Sequence, residues 1–196
     1  KTILGSKWAE LGDIVQKHYS LTPYSDDYVR VDGVMDEIHH SFFAKLLIPF
    51  GVLFGAVVPY RATNVPISVH YRSYSSDANL YWDRVFKFRP NKNFHFRSFM
   101  QHTGDNEVIE YVRFGVGMRL HVTVEDGALV FRDMGYIWKI LGYNIPVPGG
   151  LLFGKAYVEE RPIDENTFSM RLELKHPIFG ILFRYQGRFS IGSDKP

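Results

Sequence analysis

The amino-acid sequence predicts a mainly β protein: an antiparallel meander of about nine to ten strands, curled into a partly or fully closed barrel. Three observations carry this. Aromatic residues make up 16% of the 196-residue chain, with 16 Phe and 12 Tyr, and rings fit the pleated, half-buried surface of a strand. From residue 65 to residue 191, runs of alternating apolar and polar side chains follow one another, the period of two that sends successive side chains to opposite faces of a sheet. Between the runs lie short turn-forming clusters: Ser76-Asp77-Ala78-Asn79, Pro90-Asn91-Lys92, Gly104-Asp105-Asn106, Glu125-Asp126-Gly127 and Asp164-Glu165-Asn166. Links that short make hairpins, so successive strands are antiparallel neighbours.

Taken in order, Trp8, Leu11, Ile14 and Val15 lie at helical spacing in residues 6–18, with Ser6 placed as an N-cap and Glu10 in the first turns. Residues 29–35 alternate weakly and read as a strand, with Gly33 a candidate bulge. The stretch 41–60 is the most apolar in the chain. Its uncharged run from Leu46 to Tyr60 is 15 residues long and interrupted by Pro49, Gly51 and Gly55, whereas a spanning helix needs roughly 20. It reads as one or two short helices capping the core, with a portal that touches a bilayer as the alternative. Strands follow at 65–74, 80–89, 93–102, 107–114, 117–124, 128–135, 152–161, 167–175 and 181–191. Ile145-Pro146-Val147-Pro148-Gly149-Gly150 reads as a stiff connector before one of them.

Met118, Leu120, Val122 and Val124 oppose Arg119, His121, Thr123 and Glu125, and Phe168, Met170, Leu172 and Leu174 oppose Ser169, Arg171, Glu173 and Lys175. One face of the sheet is therefore wet. A sheet this wide has to curl, which hides its edges and creates an interior. The chain closes on a strand rather than on the long helix that a helix-grip fold lays across its sheet. The expected architecture is thus lipocalin- or calycin-like, one domain over residues 1–196.

Net charge is +2, and Lys and Arg are spread from Lys1 to Lys195 rather than gathered in a stripe, so nucleic acid is not an expected partner. With no cysteine, disulfides, thiolate chemistry and Cys-ligated metals are excluded. A cytoplasmic location is the default expectation, with membrane association through 41–60 as the other option. There is no Gly-x-Ser-x-Gly elbow, and neither Gly115-Val116-Gly117 nor Gly149-Gly150 completes a dinucleotide motif. Asp36-Glu37-Ile38-His39-His40 only loosely resembles metal-ligand spacing and reads as a loop or helix start. Neither a metal nor a cofactor is expected.

The chemistry concentrates on one strand. In residues 80–89 the alternation puts Trp82, Arg84, Phe86 and Phe88 on one face, so a guanidinium shares the side that three rings mark for burial. A charge placed there must find a partner. Glu110 is the candidate, because it shares its face with Val108, Val112 and Phe114. Two roles follow: a buried Arg84–Glu110 pair that fixes strand register, or Arg84 as the anchor for a carboxylate or phosphate head group. In the second role Trp82, Phe86, Phe114 and Tyr185 surround the ligand. The leading function is binding of an apolar or amphipathic, lipid-like molecule in the barrel. The alternatives are a cavity enzyme with Glu110 as acid or base and Arg84 as anion anchor, and a scaffold that meets a partner or membrane through 42–58.

The ordered set Trp82-Asp83-Arg84-Val85-Phe86, Glu110-Tyr111-Val112-Arg113-Phe114-Gly115, Gly127-Ala128-Leu129, Ile145-Pro146-Val147-Pro148, His176-Pro177-Ile178-Phe179-Gly180 and Tyr185-Gln186-Gly187-Arg188-Phe189 resembles an uncharacterised bacterial domain. That domain occurs alone or fused behind a saccharopine-dehydrogenase-like, nucleotide-binding module. The resemblance runs from about Leu11 to Ile191, and Trp82, Arg84, Phe86 and Glu110 fall on its recurring positions. It carries no settled activity. The fused forms imply a domain that presents a small molecule such as a lipid to a redox module, which would then be a partner.

Overall fold

Short polar turns fold the chain back on itself at nearly every expected place. Asn91, Asp105 and Asp126 sit in them with φ between 43° and 62°, the left-handed conformation that Asn and Asp tolerate better than other side chains. In the computed structural model, which describes residues 3–192, the turns join eleven antiparallel strands. These are β1 (Tyr28–His40), β2 (Ala62–Arg72), β3 (Leu80–Arg89), β4 (Lys92–Gly104), β5 (Glu107–Tyr111), β6 (Val116–Glu125), β7 (Ala128–Ile140), β8 (Tyr143–Val147), β9 (Lys155–Pro162), β10 (Thr167–His176) and β11 (Gly180–Ile191).

Ten of them close into a barrel in the order β6-β5-β4-β3-β2-β1-β11-β10-β9-β7, with β7 pairing back onto β6. Closure depends on β7 having two partners along its second edge. Leu129–Arg132 pair with β9, whereas Tyr136–Ile140 pair with β8, which hangs outside the ring. The register against β6 slips where the two halves meet. There Asp133 accepts from the backbone N–H of Gly135 at 2.7 Å and of Ala156 at 3.2 Å, pinning the fork.

Among the described residues, three α-helices accompany the strands: α1 (Asp13–His18), α2 (Ala44–Leu53) and α3 (Gly150–Phe153). Following the strands up and down, α1 lies at the end where β1 begins, and α2 and α3 at the end where β1 finishes. Ile14, Val15 and His18 of α1 are buried, so this helix plugs its end of the barrel. The apolar stretch 41–60 is the expected cap: α2 with Pro49 inside it, then an extended link carrying Val57 and Val58 into the core. No helix among the described residues is long and apolar enough to cross a membrane.

Four local expectations are corrected. Residues 6–18 are not one helix capped by Ser6 but a 3-10 turn (Gly5–Glu10) followed by α1, whose N-cap is Gly12. Gly12 sits where a Cβ would come within 2.7 Å of Pro162, and its N–H donates to Gly127 O at 3.4 Å. The bend thus fits the chain against the barrel rim. In β1 the bulge falls between Met35 and Glu37, not at Gly33. That glycine makes room for the Phe189 ring, which a Cβ would meet at 2.6 Å. Residues 36–40 continue β1, so Glu37 faces outward onto Arg184 and His40 faces inward. The strand expected at 128–135 runs on to Ile140, and the expected connector forms β8. The reversal between them uses Leu141 and Gly142 at φ 49° and 87°, with no Asn-Gly signal to announce it. Pro146 is tolerated because β8 is an edge strand.

Candidate ligand-binding site

The inward residues of the strands line a cavity of about 160 Å³, room for several water molecules. The barrel is hollow. Its wall is largely apolar and aromatic, with Arg84, Glu110 and Glu160 as charged groups.

Arg84 and Glu110 meet through the geometry of the sheet. Trp82 of β3 lies opposite Ser98 of β4, and Met100, two residues on, lies opposite Glu110 of β5. Diagonal neighbours on one face are close enough for long side chains to join. Arg84 donates from Nη2 to Glu110 Oε1 at 2.9 Å and from Nη1 to Ser98 Oγ at 2.9 Å. The Ser98 hydroxyl in turn donates to Glu110 Oε1 at 2.7 Å. The guanidinium carbon lies 4.2 Å from the Trp82 ring centre and 4.9 Å from that of Phe96, a cation–π arrangement that supplements the ion pair. The Arg84 and Glu110 side chains are 14% and 13% exposed, so the pair is mostly dry. A guanidinium has five N–H donors, and protein acceptors among the described residues take only two of them.

A second charged group emerges from elements far apart in sequence. Glu160 of β9 points inward and lines the cavity. His18 Nε2 lies 2.9 Å from Glu160 Oε2, and the Tyr19 hydroxyl donates to Oε1 at 3.3 Å. The imidazole stacks on Phe168, with centroids 4.5 Å apart. Its Nδ1 faces the Ile14 carbonyl at 3.3 Å, which can only accept, so Nδ1 carries a hydrogen. Burial first, then the Glu160 charge, holds the Tyr19 and Tyr71 hydroxyls well above the usual tyrosine range, while Arg84 pulls both the other way. Both phenols therefore remain donors at neutral pH. Tyr71 and Trp82 line the cavity, and the indole N–H of Trp82 is buried with no acceptor among the described residues.

Of the residues expected at the site, Trp82, Arg84, Phe86, Glu110 and Tyr185 all line the cavity. Tyr185 contributes its ring, while its oxygen accepts from Val58 N–H at 3.2 Å and tethers the link after α2. Phe114 is the exception. β5 ends at Tyr111, Phe114 turns outward at φ 59°, and it is 64% exposed. Its ring meets Phe54 edge-on at 6.1 Å, outside the barrel. The residues not anticipated are Ser98, Tyr19, His18 and Glu160. His18 was legible as the i+4 neighbour of Ile14 on the apolar stripe of α1, and Glu160 as the continuation of the Ala156, Val158 alternation.

His40, at the end of β1, is buried beside Phe183 and Tyr185, with Nε2 unpartnered among the described residues. Desolvation pushes its pKa down to about 4. A folded-state value below the unfolded one means that unfolding takes up a proton between the two, so stability is full above about pH 6.5 and falls as pH drops toward 4. The loss is expected to reach about 3 kcal/mol, since each tenfold change in proton affinity is worth about 1.4 kcal/mol. Urea titrations at pH 7 and pH 4.5 should show it in the wild type and show it reduced in His40→Leu. Equal pH dependence in both proteins would refute this role.

Residues 11–189 match the profile of a family described as a domain of unknown function (DUF4166). The chain is also 26% identical over 165 residues to "Uncharacterized protein YndH" of Bacillus subtilis (strain 168), a match that covers 80% of each chain. Since the family match spans almost every strand of the barrel and both halves of the Arg84–Glu110 pair, the chain belongs to the DUF4166 family.

Proposed function

We propose that this barrel binds a small amphipathic molecule, with an apolar tail in the cavity and an oxygen-bearing head beside Arg84. The observation that carries the reading is the set of Arg84 guanidinium N–H groups that no protein acceptor takes among the described residues, on a largely apolar cavity wall. Convergent polar groups in a greasy container are the usual signature of a small-molecule site. An acceptor arriving there satisfies donors that otherwise remain costly to bury. The Arg84–Glu110 pair has no large net charge, so an oxygen acceptor on an aliphatic or isoprenoid chain suits it better than a dense polyanion. The plug of α1 closes one end, and Ala56, Val57 and Phe153 of the α2 link and α3 line the other, which supports entry from the α2–α3 end.

Delipidated protein titrated with medium-chain fatty acids and with isoprenoid alcohols is expected to gain several degrees in Tm with one of these classes. Native mass spectrometry should show one bound molecule. The gain should vanish in the double variant Arg84→Met/Glu110→Leu, which keeps the wall packed but removes the head-group site. A protein that shows no thermal shift and no co-purified species overturns the proposal.

A further inference from the structure

The up-and-down path of the barrel gathers at one end residues that are scattered through the chain. The end opposite α1 is built from 41–61, 87–93, 112–117, 137–156 and 175–181. These segments hold nine Lys and Arg and no Asp or Glu. All nine side chains are exposed, and none is paired with a carboxylate among the described residues. The connections 22–28, 73–79, 103–107, 125–128 and 162–167 at the other end hold nine Asp and Glu and no Lys or Arg. The N-terminal residues beside them are balanced, with Lys7 and Lys17 against Glu10 and Asp13. Even with Glu107 and Glu125 paired to Arg119 and Arg132, the charge is unevenly distributed along the barrel axis, although the net charge is only +2.

The basic end is also where large apolar side chains stand in the open. Leu141 is 93% exposed, Ile178 79%, Leu151 76%, Phe42 75% and Leu46 74%. They come from α2 and the turn before it, the β7–β8 tip, α3 and the β10–β11 turn, four separate excursions beyond the same rim. Monomeric soluble proteins rarely gather so much apolar surface without a use for it. Trp138, Tyr143 and Tyr60 accompany them, the amphipathic rings that settle at the headgroup level of a membrane.

We propose that this rim docks on a membrane surface rich in anionic lipid, seating the Leu and Ile tips among the acyl chains and the nine cations at the phosphate plane. Apolar insertion combined with a predominantly basic surround is the combination that holds a protein on an anionic interface. The opposite, acidic end would be repelled by the same surface and so orients the barrel. Aliphatic tips favour this over nucleic acid, whose bases would stack on rings rather than on Leu and Ile. Docking would bring the α2–α3 end of the barrel against the bilayer. The inference nevertheless rests on the outer surface and stands if the cavity proves empty.

Flotation of the purified protein with phosphatidylcholine vesicles containing 0 or about 30% phosphatidylglycerol tests it, at low and at about 0.5 M salt. The protein is expected to float with the anionic vesicles at low salt, at least tenfold more than with the neutral ones, and to be released by salt. Two variants with unchanged circular dichroism and Tm should each lose at least tenfold in binding: Leu141→Ser/Ile178→Ser, and Lys45→Glu/Lys92→Glu/Lys139→Glu. Absence of flotation in the folded wild type overturns the proposal, as does equal flotation of the variants. A dimer in light scattering that Leu141→Ser/Ile178→Ser dissociates would assign the rim to a second copy instead. Tight binding of oligo-dT with no vesicle binding would assign it to nucleic acid.

Discussion

Arg84→Met is expected to destabilise the barrel by about 3 kcal/mol, at the low end of the roughly 3–5 kcal/mol for breaking a buried ion pair, because both side chains retain some contact with solvent. The loss comes less from the missing attraction than from Glu110, which is left in an apolar wall with only the Ser98 hydroxyl as donor. Glu110→Leu should cost a similar amount by leaving the guanidinium against Trp82 and Phe96 with Ser98 alone. The double variant should recover most of it, since a buried pair replaced by apolar residues of similar size is often neutral or better. Urea denaturation of the four proteins gives the coupling energy directly. Additive losses in the double variant would show that the two residues do not act as a pair. Ligand affinity in the stable double variant then separates the two roles of Arg84: a pair that only fixed strand register would leave binding unchanged.

An asymmetric pair of losses is expected at His18 and Glu160. His18→Phe preserves the stack on Phe168 but strands a carboxylate whose side chain is 5% exposed, leaving the Tyr19 hydroxyl as its donor. The expected cost is about 3–5 kcal/mol. Glu160→Leu leaves an imidazole that can stay neutral, so its cost falls to about 1–3 kcal/mol for an unsatisfied polar nitrogen. Because this contact holds α1 to β9, both variants should also speed proteolysis ahead of β1 at protease levels that leave the wild type intact. Equal costs, or protection of α1 unchanged, would show that the pair is not what holds the plug.

Most of the cavity wall was readable because a strand repeats every two residues. Trp82, Arg84 and Phe86 face inward for the reason that the rings beside Arg84 suggested, and Glu110 follows from Val108. The same rule misplaced Phe114. Its alternation continues past Tyr111, but the chain leaves the sheet at Val112 and turns through a left-handed residue, which no i, i+2 pattern records. Ser98 was invisible because a serine among Phe and Met is an ordinary strand residue until a diagonal partner is known. Residues 36–40 were misread because two acids and two histidines in succession hide an alternation in which only Ile38 and His40 are buried. β8 was missed because Pro146 within it and Pro148 just after it argue for a loop, and only the observation that it is an edge strand removes the objection.

By itself, the sequence determined the ten strands of the barrel in outline, their antiparallel order and the Arg84–Glu110 pair that needs a partner inside, since each of these depends on neighbours within a few positions. Tertiary structure alone decided closure, which requires β7 to pair with β6 along one edge and with β9 along the other. It also decided that His18 reaches Glu160 across 142 positions of chain. The charge pattern shows the difference most clearly. Along the chain, Lys and Arg are dispersed, which argued against a basic surface. In space every second connection returns to the same rim, so cations that are far apart in sequence share one end and the acids share the other. Local periodicity cannot report this, because which turns share an end follows from the alternating direction of the strands and the closure of the sheet.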